Sequence, residues 1–359
     1  MLVIACLRKL YHLNSSASIP ATRISCSRGL PSWLISNSVS FVFSSYQSGQ
    51  VFWVGVDPNG ALHLHQRDFQ RAMALKLVGR DFYLSTLYQV WRFTVEAAQQ
   101  DEAADHCFVP RVAHTTGDVD VHDFAVLTDG TLVFANTLYS CLATLSDTHS
   151  FKPVWWPKFI SKLVPEDRCH LNGIAEHDGQ ITHVTAVSQS DIAHGWRARR
   201  HNGGCLIDVH SNAVVTNDLS MPHSPRWHRG ALWLLNSGRG ELGTIDPATG
   251  QFEARIFLPG FLRGLSFHGR YALVGLSKPR DGSFDGLALD EALRSRDADP
   301  RCGIHIVDLD RGCVVEWLEF EAGSITELFS VEALPDMASP IAVGLKSDEI
   351  LNHITIAPP

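Results

Sequence analysis

The sequence has little that would suit a nucleic-acid or membrane partner. Thirty lysines and arginines stand against 38 aspartates and glutamates in 359 residues, a formal net charge of −8. Only RARRH at 197–201 is locally basic, so a polyanion finds no basic face to bind. Long apolar runs are missing as well. The opening MLVIACLRKLYHL is interrupted at Arg8 and Lys9, which leaves it too short to span a bilayer and unlike a secretion signal. The eight cysteines (6, 26, 107, 141, 169, 205, 302 and 313) have no CxxC spacing and no regular framework. Reduced thiols in a soluble cytoplasmic protein are the expectation. Walker, GxSxG and HExxH patterns are also lacking, which removes the commonest P-loop nucleotide, hydrolase and zinc-protease readings.

Helical periodicity is scarce too. Short apolar runs bounded by Gly, Asp, Asn and Pro recur instead, the signature of an all-β chain. One unit repeats as a strand ending in Asp, a tight turn and a second strand: GQVFWVGVDPNGALHLHQRDF (49–69), GGCLIDVHSNAVVTNDL (203–219), GELGTIDPATGQFEARIFLPGF (240–261) and CGIHIVDLDRGCVVEWLEF (302–320). Asp suits the turn because its side chain bonds the backbone two residues on. A second pattern precedes it, two apolar strands joined by a Gly turn, as in FAVLTDGTLVFAN (124–136), WHRGALWLLN (227–236) and GLSFHGRYALVGL (264–276). Together they predict a four-stranded unit of about 40–60 residues, the period of a β-propeller blade.

Six third strands are expected, near 51–56, 88–94, 141–146, 204–208, 241–246 and 303–308. The C-terminal strands (327–345) lack a following pair and the N-terminus has a surplus one. Six four-stranded blades, closed by pairing the two ends of the chain, account for both. SVSFVFSSYQ (38–47) is left over, so seven blades are the alternative. The expected division is a weakly structured extension over 1–33 and a single propeller domain over 34–359.

Polar residues collect in the loops leading into each first strand, which ring one mouth of a propeller's channel. One residue per blade falls near the same place: Arg71, His122, His170, His223, Arg263 and Glu327. Three imidazoles and a carboxylate, His122, His170, His223 and Glu327, form a candidate site for a divalent metal ion. His170 and His223 are also candidate bases, and Arg226 and Arg263 candidate clamps for a small anionic molecule, since guanidinium matches carboxylate geometry. Cys169 beside His170 is a weaker candidate nucleophile, because neighbours on a strand point to opposite faces. Trp155 and Trp156 raise a carbohydrate-binding reading.

The motifs TTGDVDVHD, NTLYSCLATL, PEDRCHLNG, GWR, MPHSPRWH, LWLLNSGRGELG and LPGFLRGL…VGLSKPR occur in this order over about residues 31–345. In them the chain resembles a bacterial family of conserved hypothetical, uncharacterised β-propeller-like proteins. The resemblance implies the fold and carries no activity or site residue. The expected function is therefore a small-ligand-binding propeller with a His-lined channel site, a candidate lyase or hydrolase on an anionic substrate. The alternative is a non-catalytic interaction scaffold with a protein partner.

Overall fold

A computed structural model describes residues 22–98, 103–279, 283–284, 286–345 and 347–357. Six sheets, one per blade, are arranged as a propeller, with few helices. From the axis outward, the first blade runs Val331–Pro335, Val39–Ser45, Gln50–Val56 and Leu62–Asp68. The second runs Leu75–Val78, Asp81–Ser85, Gln89–Ala97 and His106–Thr115. The third comprises Val121–Val126, Leu132–Asn136, Cys141–Thr144 and Lys152–Trp155; the fourth, Leu171–His177, Gln180–Ala186, Gly204–Asp208 and Val214–Leu219. The fifth is Pro222–His228, Ala231–Asn236, Glu241–Ile245 and Phe252–Phe257. The sixth is Phe261–His268, Tyr271–Ser277, Gly303–Asp308 and Cys313–Ala322.

All six expected third strands are in place. Closure differs from expectation in its division. The C-terminus contributes one strand to the first blade, where Val331–Pro335 pairs antiparallel with Val39–Ser45. The leftover segment at 38–47 thus belongs to a six-bladed ring, and Pro340–Ala342 pairs in parallel with His106–Phe108 on the outer edge of the second blade. The expected weak structure of the N-terminal extension needs correction over residues 22–33. Arg23–Cys26 adds a fifth strand to the sixth blade, and the helix Leu30–Ser36 buries Leu30, Trp33 and Leu34 against the first and sixth blades. The apolar spacing of LPSWL, with Pro near the helix start, explains both the helix and its docking. Residues 1–21 lie outside the described residues.

The core is divided among the six junctions between neighbouring blades, each filled by its own apolar cluster. A second device crosses the junctions. A hydroxyl at the end of the second strand donates to a backbone carbonyl of the next blade's inner segment. The pairs are Ser44 Oγ to Met73 O (2.5 Å), Ser85 Oγ to Val121 O (3.2 Å), Thr137 Oγ1 to Leu171 O (2.5 Å), Ser237 Oγ to Leu262 O (2.7 Å) and Ser277 Oγ to Leu328 O (3.3 Å). These carbonyls sit at or just before the start of each inner strand, where a side-chain donor satisfies a backbone acceptor of the neighbouring blade.

Close approach of the inner strands also demands small residues. A Cβ on Gly173 would lie 2.4 Å from Pro225 Cδ, and one on Gly264 (φ +79°) 2.7 Å from Val331 N. Both glycines bring neighbouring blades together at the channel.

Candidate functional site

The lead-in loops of several blades converge around a cavity of about 470 Å³. Arg71, His122, His170, Arg263 and Glu327 line it, five of the six expected ring residues. His223 is not on the cavity surface but is buried beside it, its ring 5.7 Å from that of the lining Phe261. Several lead-in residues adopt left-handed backbone conformations that L-residues rarely use: Arg71, Asp120, Asp167, His170 and Met221 have φ between 44° and 58°. Such strain is held only where surrounding structure over-determines it.

The three imidazoles are held in two ways. His122 Nδ1 is 2.9 Å from Asp120 O and 2.8 Å from Thr137 Oγ1. His223 Nδ1 is 2.8 Å from Met221 O and 3.1 Å from Ser237 Oγ. His170 Nδ1 instead meets both carboxylate oxygens of Asp167, at 3.1 and 3.0 Å, while Trp196 Nε1 donates to the same carboxylate at 2.7 Å. The Trp196 ring lies 4.2 Å from that of His170. Burial would raise the Asp167 pKa, yet the hydrogen bonds from His170 and Trp196 outweigh it and hold the carboxyl below its ordinary value. His122 is pushed down to about 4, mainly by burial, with His170 and Arg263 adding to it. His223 is pushed well below its ordinary value by burial, Arg263, His122 and His170.

Arg71 is paired with Asp118 at 2.6 Å and Asp120 at 3.4 Å, so its charge is answered locally, and the Asp-rich turn TTGDVD serves as its partner. Tyr46 Oη donates to Glu327 at 2.8 Å. Arg263 differs. Its guanidinium carbon lies 4.7, 5.6 and 5.9 Å from the ring centres of Phe329, Tyr46 and Phe261. Among the described residues it has neither a hydrogen bond nor an ion pair.

Two sequence-based candidates stand elsewhere. Arg226, expected as an anion clamp, lies on the fifth blade's inner strand and does not line the cavity. It makes a bidentate pair with Asp123 at 2.7 and 2.8 Å and donates to Ile174 O and Pro225 O. Asp123 also accepts from the backbone N–H of Phe124 and of Ile174, so the cluster ties the third, fourth and fifth blades. A β-bulge after His223 offsets the strand's inward residues, which separates Arg226 from the lead-in loop. Cys169 is fully buried and its thiol is pushed up by that burial, which suits packing and not nucleophilic attack.

The expected metal set is not assembled. Among the described residues no group of three or more His, Cys, Asp or Glu side chains is placed to hold a metal ion. Arg263 is close enough to His122 and His223 to depress their protonation, and Glu327 and Asp120 act on its own charge.

Sequence reasoning missed Trp196, Tyr46, Phe261 and Phe329. Trp196 sits in the loop between the second and third strands of the fourth blade, longer there than in most other blades, and that length was its signal. The Asn-Thr and Asn-Ser pairs at 136–137 and 236–237 were the signal for the hydroxyls that hold His122 and His223. Trp155 and Trp156, by contrast, lie at the outer edge of the third blade, away from the cavity.

No helix among the described residues is long and apolar enough to cross a membrane. No curated protein matches the sequence. Among solved structures, the fold is similar to a chain in the crystal structure of a nidogen/laminin complex, with TM-score 0.50 and 10% identity, covering 83% of this chain and 99% of that one. A catalytically inactive virginiamycin B lyase from Staphylococcus aureus with quinupristin also matches, at TM-score 0.40 and 9% identity over 83% and 99% of the two chains. At such identities the first likeness bears on the fold alone, and the second carries no argument. The finer bacterial grouping stays a resemblance. The match that spans residues 28–343 is to a domain of unknown function, DUF4915, and the chain belongs to that family.

Proposed function

We propose that this protein binds a small anionic molecule at the mouth of its channel and acts on it by proton transfer, as a lyase or a hydrolase. One observation carries the reading. Arg263, without a partner among the described residues and enclosed by three aromatic rings, shares a cavity with the Asp167–His170 pair. A guanidinium removed from water without an ion pair is unfavourable, and a carboxylate or phosphate satisfies it on two of its donors. The rings strip away competing water and attract the cation through their faces. His170, oriented through Nδ1 by Asp167, keeps Nε2 to receive a proton from an acidic carbon beside the anionic group or from water. The cavity of about 470 Å³ suits a small organic molecule and is larger than a bare inorganic anion needs.

A panel of small carboxylates and phosphates, titrated calorimetrically against wild type, Arg263→Met and His170→Gln, tests this. Ligands of the wild type are expected to lose most of their affinity for Arg263→Met. Those that wild type converts should still bind His170→Gln while conversion falls by at least about 100-fold, the scale of a lost general base. Equal affinity for Arg263→Met would refute the anion site, and unchanged turnover in His170→Gln would refute the base. A protein that captures other proteins through this face and binds no small anion would be a scaffold.

A further inference from the structure

The hydrogen bonds behind His122 and His223 determine what their far ends do. Thr137 Oγ1 has one proton and donates it to Leu171 O; Ser237 Oγ has one proton and donates it to Leu262 O. Each hydroxyl can then only accept from the imidazole at 2.8 or 3.1 Å. The second partner of each Nδ1 is a backbone carbonyl, Asp120 O or Met221 O, which also only accepts. Both Nδ1 atoms therefore carry the proton. In a neutral ring that leaves Nε2 as a bare lone pair, and burial disfavours the charged form of both rings.

The two Nε2 atoms are thus acceptors without a donor of their own to offer. His122 stands on the cavity wall. His223, 5% exposed, has its Nε2 buried with no hydrogen-bond partner among the described residues, close to the lining residues Arg263, His122 and His170. An unanswered buried acceptor is costly, but His223 stands off the cavity surface; the acceptor that a ligand's donor can meet is Nε2 of His122. An ammonium is a poor donor here, because Arg263 would repel it. A hydroxyl is neutral and fits.

We infer that the ligand of this site is a hydroxylated carboxylate, whose carboxylate meets Arg263 and a hydroxyl of which donates to Nε2 of His122, the imidazole acceptor on the cavity wall. The inference rests on the proposed anion site and adds the neutral half of the molecule.

Calorimetric titration of the untagged full chain with three aldonates (gluconate, galactonate and mannonate), hexanoate and glucitol tests it on matched six-carbon chains. At least one aldonate is expected to bind no less than tenfold tighter than both hexanoate and glucitol. Hexanoate binding as tightly as the best aldonate would overturn the hydroxyl inference and leave the anion site standing. Glucitol binding as tightly would overturn the anion site and the inference with it. Absence of binding by all three aldonates overturns the inference. Long-range proton–nitrogen spectra of the imidazoles give an independent readout in wild type: both rings should carry their proton on Nδ1, and a proton on Nε2 of either refutes the argument. Zinc or manganese bound stoichiometrically to wild type, and lost in His223→Gln, would make these lone pairs metal ligands and overturn it as well.

Discussion

Glu332 offers a direct test of the charges buried in the channel. It lies on the first blade's inner strand, where burial pushes its carboxyl up to about 7 despite the opposing pull of Lys76 and Arg226, while Asp123 adds to the rise. Ser266 Oγ donates to it over a long 3.3 Å. The nearby charges are already engaged: Arg226 with Asp123, and Lys76 with Glu176 at 3.2 Å. Ionised Glu332 is thus a carboxylate that the fold tolerates poorly. A carboxyl whose folded pKa lies above its ordinary 4.5 keeps its proton in the native state after the unfolded chain has lost it. Stability from this group is therefore full below about pH 4.5 and falls as pH rises towards 7. The loss is at most roughly 3 kcal/mol, at about 1.4 kcal/mol for each tenfold in proton affinity. Glu332→Gln keeps the shape, removes the ionisation and should abolish that fall. Urea unfolding at pH 5 and pH 8 reads it: the variant should match wild type within about 1 kcal/mol at pH 5 and exceed it by about 2–3 kcal/mol at pH 8. A variant less stable than wild type at pH 8, or one whose stability changes with pH as much as the wild type's, would refute the reasoning.

Removing Arg226 should have the opposite character. Arg226→Met leaves Asp123 buried with a charge and two lost donors, a cost of about 3–5 kcal/mol in urea unfolding. Adding Asp123→Asn should recover part of it, and independent, additive losses would show that the pair is not coupled. The hydroxyl staples should be worth about 1 kcal/mol each. Thr137→Val and Ser237→Ala are expected to lower stability by that amount, and unchanged unfolding midpoints in both would mean that the carbonyls of Leu171 and Leu262 are satisfied otherwise.

The propeller was legible because its repeat is carried by turn chemistry. Asp at the end of four of the six third strands and Gly in the first hairpins recur where the backbone needs them, and the spacing they set located the other two third strands. The division of the first blade was not, because VSFVFSS (39–45) is buried throughout and shows no alternation to mark which sheet it joins. The ring of lead-in residues was readable from its spacing alone, as five of the six line the cavity. What each does there was not readable. Arg226 and Arg263 look equivalent as cations near a first strand, yet a bulge and a facing carboxylate pair one with Asp123, while three rings from distant parts of the chain surround the other on the cavity wall. Partners that meet only after folding decide such roles.

The same atoms serve ring closure and site chemistry. Around the ring a hydroxyl passes its proton to the next blade, and this happens at Ser44, Ser85 and Ser277 with no histidine involved. At Thr137 and Ser237 a histidine is laid over the same staple and takes its tautomer from it. The chemistry of the mouth then depends on what each blade adds to an otherwise repeated joint. Neighbouring inner strands follow chain order, so Arg263 of the sixth blade faces His122 of the third across the channel, and Glu327 of the first faces His170 of the fourth. An anion drawn to Arg263 is consequently anchored two blades from the Asp167–His170 pair.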